Sequence, residues 1–313
     1  MVDEMATRDA YGKALVELGR KDERIVVLDA DLSGSTKTAA FAGEFPQRFF
    51  NMGIAEADMM GTAAGLAASG FIPFASTFGV FATGRAFDQV RNSICYPRLN
   101  VKIAATHTGI TVGEDGGSHQ SVEDIALMRV LPAMTILSPA DSWQAEQAVK
   151  AAVEVDGPVY IRLGRPKVPL VIPQDMPFAV GKGQVLREGT DITIIATGHM
   201  VHQALKAADK MAKEGLRAAV INIHTIKPLD EELIVFYARQ TKGVITAEEH
   251  SIIGGLGGAV AELLGERCPV PMKRIGVRDS FGESGKPASL LQEYGLTAEH
   301  IISAARHLLR ETS

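Results

Sequence analysis

Two histidines and two acids set among four glycines stand out: His107-Thr-Gly-Ile-Thr-Val-Gly-Glu-Asp115-Gly-Gly-Ser-His119. A segment of this composition lets backbone approach a ligand closely and adopt positive φ angles. A metal centre is a rival reading, yet no helical HxxxH or HxxE pairing occurs and the spacing fits no zinc pattern. A purely structural glycine loop is a third.

Glu56 is the second chemical candidate. It lies in NMGIAEADMMGTAAGLAASG, a single carboxylate entering a helix of small and apolar residues. A charge there is costly unless it is exposed, capped or partnered, and proximity to a helix N-terminus is the simplest relief. Arg8, within ATRDAYG, reads by itself as a surface charge on the first helix. GGLGGAVAELL (254–264) has the look of a dinucleotide fingerprint, but the third glycine would fall on Val260, and close helix–strand packing explains the run equally well. His199 and His202, near a helix start, read as solvated or capping residues.

The elements that must position these groups alternate. IVVLDA (25–30), FIPFAS (71–76), VKIAAT (101–106), MTILSP (134–139) and VYIRLG (159–164) read as strands. Helical patterns cover 55–69, 84–95, 121–130 and 141–154, with Asp141 as an N-cap and Ser121 with Asp124 as a capping pair. The alternation predicts an α/β fold with a doubly wound, mostly parallel sheet. Proline- and glycine-rich sequence at 165–189 suggests a linker. ITIIAT (192–197), AAVINI (218–223) and VITAEE (244–249), with helices near 200–214 and 229–240, form a smaller second α/β domain. The expected division is 1–170, a linker at 171–190, and 191–313. Ligands of open α/β sheets sit beyond the strand carboxyl ends. That rule singles out Asp31 to Ser35, Thr77 to Phe81, the 107–119 loop and Arg165.

Composition narrows the function classes. The chain has 313 residues, 46% of them hydrophobic and 22% charged, and a formal charge of −5. That is a globular enzyme's profile, with no general basic footprint for nucleic acid or an anionic membrane. Small anions remain candidates for a local pocket. Cys95 and Cys268 are far apart and suggest buried thiols in a reducing compartment. No secretion signal or membrane span is legible, so the cytoplasm is the expected location.

ATRDAYG, DADLSGS, NMGIAEADM, PFASTFGVF, RAFDQVR, ATHTGITVGEDGGSHQ, SPAD, IRLGRP, HTIKPLDEE and SGKPASLL follow one another along almost the whole chain. In that order they resemble the corresponding stretches of transketolases. GEDGxxHQ is the specific part, whereas RAFDQVR and the GIAE segment are shared more widely among thiamine diphosphate enzymes. The fold implied is a pyrimidine-binding domain followed by a transketolase C-terminal domain.

The resemblance implies roles for single residues. Glu56 matches the glutamate that hydrogen-bonds the ring nitrogen of the cofactor's aminopyrimidine, a proton-handling role. Phe78 and Phe81 match the aromatic pocket around that ring, and Gly84 stands where some members carry a third aromatic. Asp31 is expected to orient groups near the thiazolium ring. Asp115 and His119 match residues that meet the donor sugar's hydroxyls, with His119 assisting proton transfer. Arg8, Ser35, His107 and Arg165 match the phosphate end of the substrate cleft.

No GDG segment with a following Asn pair is found. The diphosphate and its divalent metal, magnesium or calcium, are therefore expected on an N-terminal transketolase subunit, in an α2β2 heterotetramer acting on sugar phosphates. This chain is expected to hold no metal itself. Alternatives are the beta subunit of a 2-oxoacid dehydrogenase, which would lack GEDGxxHQ, Arg8 and Arg165; a 1-deoxyxylulose-5-phosphate synthase half, disfavoured by His107; and a non-catalytic interaction subunit.

Overall fold

The structure, a computed structural model, describes residues 4–311. The outermost residues of the two expected domains, 1–3 and 312–313, lie outside that range. Among the described residues no helix is long and apolar enough to cross a membrane.

All five apolar runs expected as strands in the first half pair in one seven-stranded sheet. Its order is Thr225–Lys227, Thr135–Leu137, Val159–Arg162, Lys102–Thr106, Ile72–Phe78, Ile25–Asp29 and Phe49–Asn51. Every pairing is parallel except that of Thr225–Lys227 with Thr135–Leu137. Ile25–Asp29, Ile72–Phe78, Lys102–Thr106 and Val159–Arg162 are buried at every position, as strands covered on both faces must be. One face packs on Met59, Met60, Ile94 and Ile125, the other on Tyr11, Phe41 and Val149.

The second sheet has five strands, in the order Met272–Val277, Val244–Ser251, Ile192–Ala196, Ala218–Asn222 and Gln184–Arg187, the last antiparallel. The stretch expected as a linker thus donates Gln184–Arg187 to this sheet, and the second half donates Thr225–Lys227 to the first. Burial crosses the division too: Ile110, Val122 and Ala140 belong to the same core as Ile194, Met200 and Leu290.

Local signals were decided by tertiary partners. Asp141 caps Ser142–Glu154 as expected, accepting from the Gln144 amide at 2.9 Å, while its other oxygen accepts from the amides of Val171 and Ile172 at 2.8 Å each. Ser121 and Asp124 do not form the expected capping pair. Helix Asp124–Arg129 has no side-chain cap and the buried Ser121 hydroxyl has no hydrogen-bond partner, because Asp124 turns into the core. The helix expected at 84–95 is broken into wide π-type turns, Phe81–Arg85 and Val90–Cys95, around Phe87–Gln89. Cys95 is buried and Cys268 only partly so; both are free thiols.

Asp124 accepts from Arg162 Nε at 2.7 Å and from the Tyr160 hydroxyl at 2.7 Å, all three side chains being buried. Burial alone would raise the Asp124 carboxyl, but Arg162 and His250 hold it below the usual carboxylate range. Arg162 also donates to the Glu249 carbonyl at 2.9 Å, and the Glu249 carboxylate accepts from the Thr111 amide at 2.7 Å. The two sheets are therefore joined by a buried ionic chain. Asp124→Ala leaves the Arg162 guanidinium buried without its countercharge and is expected to cost about 3–5 kcal/mol of stability. Urea denaturation measures this, and an additional Arg162→Met substitution should recover much of the loss.

Candidate active site

The first sheet delivers its chemistry at the strand carboxyl ends. Phe78 is the last residue of Ile72–Phe78, His107 follows Lys102–Thr106, and Arg165 lies just past Val159–Arg162. The backbone bends sharply there, with Asp31 at φ 62° and His107 at φ 54°, both in the left-handed region. Asp31 is exposed and accepts from the Asn51 side chain of the neighbouring strand at 3.0 Å.

Four rings meet in one cluster. His107 stacks on Phe78 with centroids 3.8 Å apart, and Phe78 and Phe81 lie nearly parallel at 6.0 Å. His119 meets Phe81 edge-on at 5.4 Å. The His107 tautomer follows from its neighbours. Arg8 Nη1 lies 3.4 Å from Nε2, and a guanidinium has no lone pair to offer, so Nε2 accepts and Nδ1 carries the proton toward Thr106 Oγ1 at 2.9 Å. Burial, then Arg8, Arg165, His119 and Lys37, push His107 down to about 3.

These cations form one rim. Arg8 donates to the Ser35 carbonyl at 2.9 Å, so the contact uses the Ser35 backbone rather than its hydroxyl. Burial and Arg165 lower Arg8, with Asp9 opposing. Arg165 donates to the Val112 carbonyl and stands 3.6 Å from Glu114 and 3.8 Å from Asp115. A half-buried group of two guanidiniums beside a neutral imidazole suits a tetrahedral anion.

Glu56 opens the helix Glu56–Ala68 and is buried, with both carboxylate oxygens met by Arg85 Nη1, at 2.9 and 2.8 Å. The Arg85 guanidinium lies 4.3 Å over the Phe81 ring. Sequence reasoning did not single out Arg85, although RAFDQVR placed it among the matched segments. Asp29 was also missed. It is buried and accepts from the Leu32 amide at 2.6 Å, Thr36 Oγ1 at 2.6 Å and Thr38 Oγ1 at 2.8 Å, which shapes the loop carrying Asp31 and Ser35. Its signal was a charge closing an otherwise apolar strand. Burial pushes its carboxyl up and these hydrogen bonds oppose that.

The glycine loop is clamped by the second domain. A Cβ on Gly117 would meet the Gly282 carbonyl at 2.5 Å, and one on Gly109, at φ 75°, the Glu249 carboxylate at 2.3 Å. Gln120 Nε2 donates to Ile110, Gly113 and Glu283 carbonyls at 3.1, 3.3 and 2.9 Å. The glycines are thus required by close packing inside the protein as well as by any ligand.

Other sequence candidates fall outside this cleft. At GGLGG, the amides of Leu256 and Gly257 donate to the Glu248 carboxylate at 2.6 and 2.7 Å, so the helix start is satisfied by the chain itself. His199 is neither solvated nor a side-chain cap: both its ring nitrogens are buried without a partner among the described residues, and burial lowers its pKa. His202 is half-buried and lowered to about 4, chiefly by burial.

Two α/β sheets, with an aromatic cluster, a buried carboxylate and a cationic group beyond the strand carboxyl ends of the first, define a two-domain α/β protein. Residues 3–171 match the transketolase pyrimidine binding domain and residues 181–301 the transketolase C-terminal domain. The chain belongs to the transketolase family, whose members depend on thiamine diphosphate, and corresponds to its C-terminal section. It is 50% identical over 307 residues to a Methanocaldococcus jannaschii protein provisionally named a transketolase C-terminal section, covering 97% of this chain and 95% of that one. A 6-deoxy-6-sulfo-D-fructose transketolase subunit of Clostridium sp. is 48% identical, over 98% and 95% of the two chains. A solved structure described as a split gene transketolase, inactive beta4 tetramer, superposes with a TM-score of 0.92 at 58% identity, covering 99% of this chain and 100% of that one.

With His107 depressed from 6.5 to about 3, the folded state favours the neutral ring. The unfolded chain takes up the proton first, so this contribution to stability is full above pH 6.5 and lost as pH falls toward 3. NMR should find the His107 imidazole neutral throughout the physiological range; a titration midpoint near its ordinary 6.5 would contradict the assignment.

Proposed function

We propose that this chain is one subunit of a two-chain transketolase. It moves a two-carbon ketol unit from a ketose phosphate, xylulose 5-phosphate, to an aldose phosphate, ribose 5-phosphate or erythrose 4-phosphate. The observation that carries the reading is the buried Glu56 carboxylate, bonded to an Arg85 guanidinium that lies over Phe81, itself nearly parallel to Phe78. Such a site fits a flat heteroaromatic ring with a nitrogen to be protonated. Thiamine diphosphate, when bound, supplies the nucleophilic carbon of the reaction.

The residues divide the remaining work. Glu56 holds the proton at the aminopyrimidine ring nitrogen, Phe78 and Phe81 hold the ring's faces, and Asp31 orients groups near the thiazolium. Asp115 and His119 meet the sugar hydroxyls, and His119 exchanges protons with them. Arg8, Arg165 and the Ser35 loop grip the terminal phosphate, with His107 at that end accepting from Arg8 through Nε2 and so orienting its guanidinium. A neutral His107 leaves the phosphate charge to the two guanidiniums, which remain protonated at any working pH.

An N-terminal partner chain carrying the GDG segment and Asn pair holds the diphosphate and its magnesium or calcium, in an α2β2 assembly in the cytoplasm. The absence of that segment from this sequence supports the division, as does the inactive beta-only tetramer of its 58% identical relative.

Mixing this chain with such a partner, thiamine diphosphate and magnesium is expected to restore ketol transfer from xylulose 5-phosphate to ribose 5-phosphate. Pyruvate decarboxylation without sugar-phosphate transfer would refute the reading. Turnover of a sulfonate-ended ketose alone would move the substrate toward that of the Clostridium relative. Glu56→Gln should preserve assembly and lower kcat by at least about 100-fold. Arg165→Gln should instead raise KM for phosphorylated substrates by about tenfold or more, as loss of a charge-assisted contact predicts; a kcat-only effect would remove Arg165 from the phosphate grip.

A further inference from the structure

The Glu56 carboxylate stands at the start of helix Glu56–Ala68. Its side chain is 1% exposed, and among the described residues only Arg85 hydrogen-bonds to it. One nitrogen, Nη1, bridges both oxygens. Arg85 itself is 48% exposed and rests on Phe81, a ring of the aromatic cluster. Beside it, Gly84 provides no wall: a Cβ there would meet nothing within 4 Å. A buried carboxylate is thus bonded by a guanidinium that is itself half in solvent, and among the described residues nothing would touch a Cβ at position 84 beside it.

Resting on the proposed function, we infer that Arg85 is a positioning residue that stands in for the cofactor's ring at Glu56 while the pocket is empty. The entering ring nitrogen displaces it. The exchange keeps a buried carboxylate partnered throughout, because an unpaired charge at this depth is strongly destabilising. A long, half-exposed arginine can release its hydrogen bonds and return to water, so it is a replaceable countercharge. Phe81 keeps its stem near the pocket, beside the gap at Gly84.

Arg85→Met tests this, since it keeps the packing on Phe81 and removes the charge. The free full-length chain should melt at a lower temperature than wild type, and adding Glu56→Gln should restore the midpoint, because an amide does not need the guanidinium. In the two-chain assembly with magnesium, Arg85→Met should bind thiamine diphosphate about tenfold more tightly, because the pocket no longer has to be vacated. Binding is read by titration calorimetry, without turnover. Equal or weaker binding by the variant beside normal wild-type binding overturns the inference alone, as does an unchanged melting temperature. If neither assembly binds thiamine diphosphate, the transketolase reading itself fails and the inference falls with it.

Discussion

The structure turns on Arg162, a guanidinium buried at the end of a strand in the middle of the larger sheet. With Asp124 and Tyr160 it forms a paired ionic group inside the first domain, and through the Glu249 carbonyl it reaches the second. Neither charge could be left alone at this depth without a large penalty. That requirement fixes the start of helix Asp124–Arg129, the end of strand Val159–Arg162 and the end of strand Val244–Ser251 relative to one another. The glycine loop that supplies Asp115 and His119 lies between these anchors, tied by the Thr111 amide to Glu249 and by Gln120 to Glu283. A role for the smaller domain follows: it holds the loop of the larger domain's cleft in shape.

The cleft solves two electrostatic problems in different ways. Glu56 is a lone buried acid and is met by a movable arginine. At the other end Arg8, Lys37, Arg165 and His107 crowd together, and the imbalance is relieved by keeping His107 neutral and by Glu114 and Asp115 near Arg165. An anion entering between Arg8 and Arg165 would take over part of what those acids do. The stacked His107 and Phe78 rings join the aromatic cluster to the cationic group.

Much of this was legible in the sequence because its signals are local. Strands buried on both faces need continuous apolar runs, and five such runs became the larger sheet. Asp141 capped as its position before Ser142 required. The glycine loop announced itself by composition, and Glu56 by being a charge where charges are expensive. The signals that misled were those with two competing partners: Asp124 looked like part of a cap and was taken by Arg162, and the proline-rich stretch looked like a linker yet gave a strand to the second sheet, because an edge strand needs only a few residues and one neighbour.

By itself the sequence determined the α/β class, the order of the strands along the chain and the residue types gathered at their carboxyl ends, since periodicity and burial cost act over a few neighbouring positions. Only the tertiary structure decided who partners whom: Arg85 with Glu56, Arg162 with Asp124, Glu249 with the glycine loop, and Thr225–Lys227 with the first domain's sheet. These pairings join residues 29, 38, 138 and roughly ninety positions apart in the chain. Charge pairing and backbone hydrogen bonding depend on distance in space, which no spacing along the sequence reports.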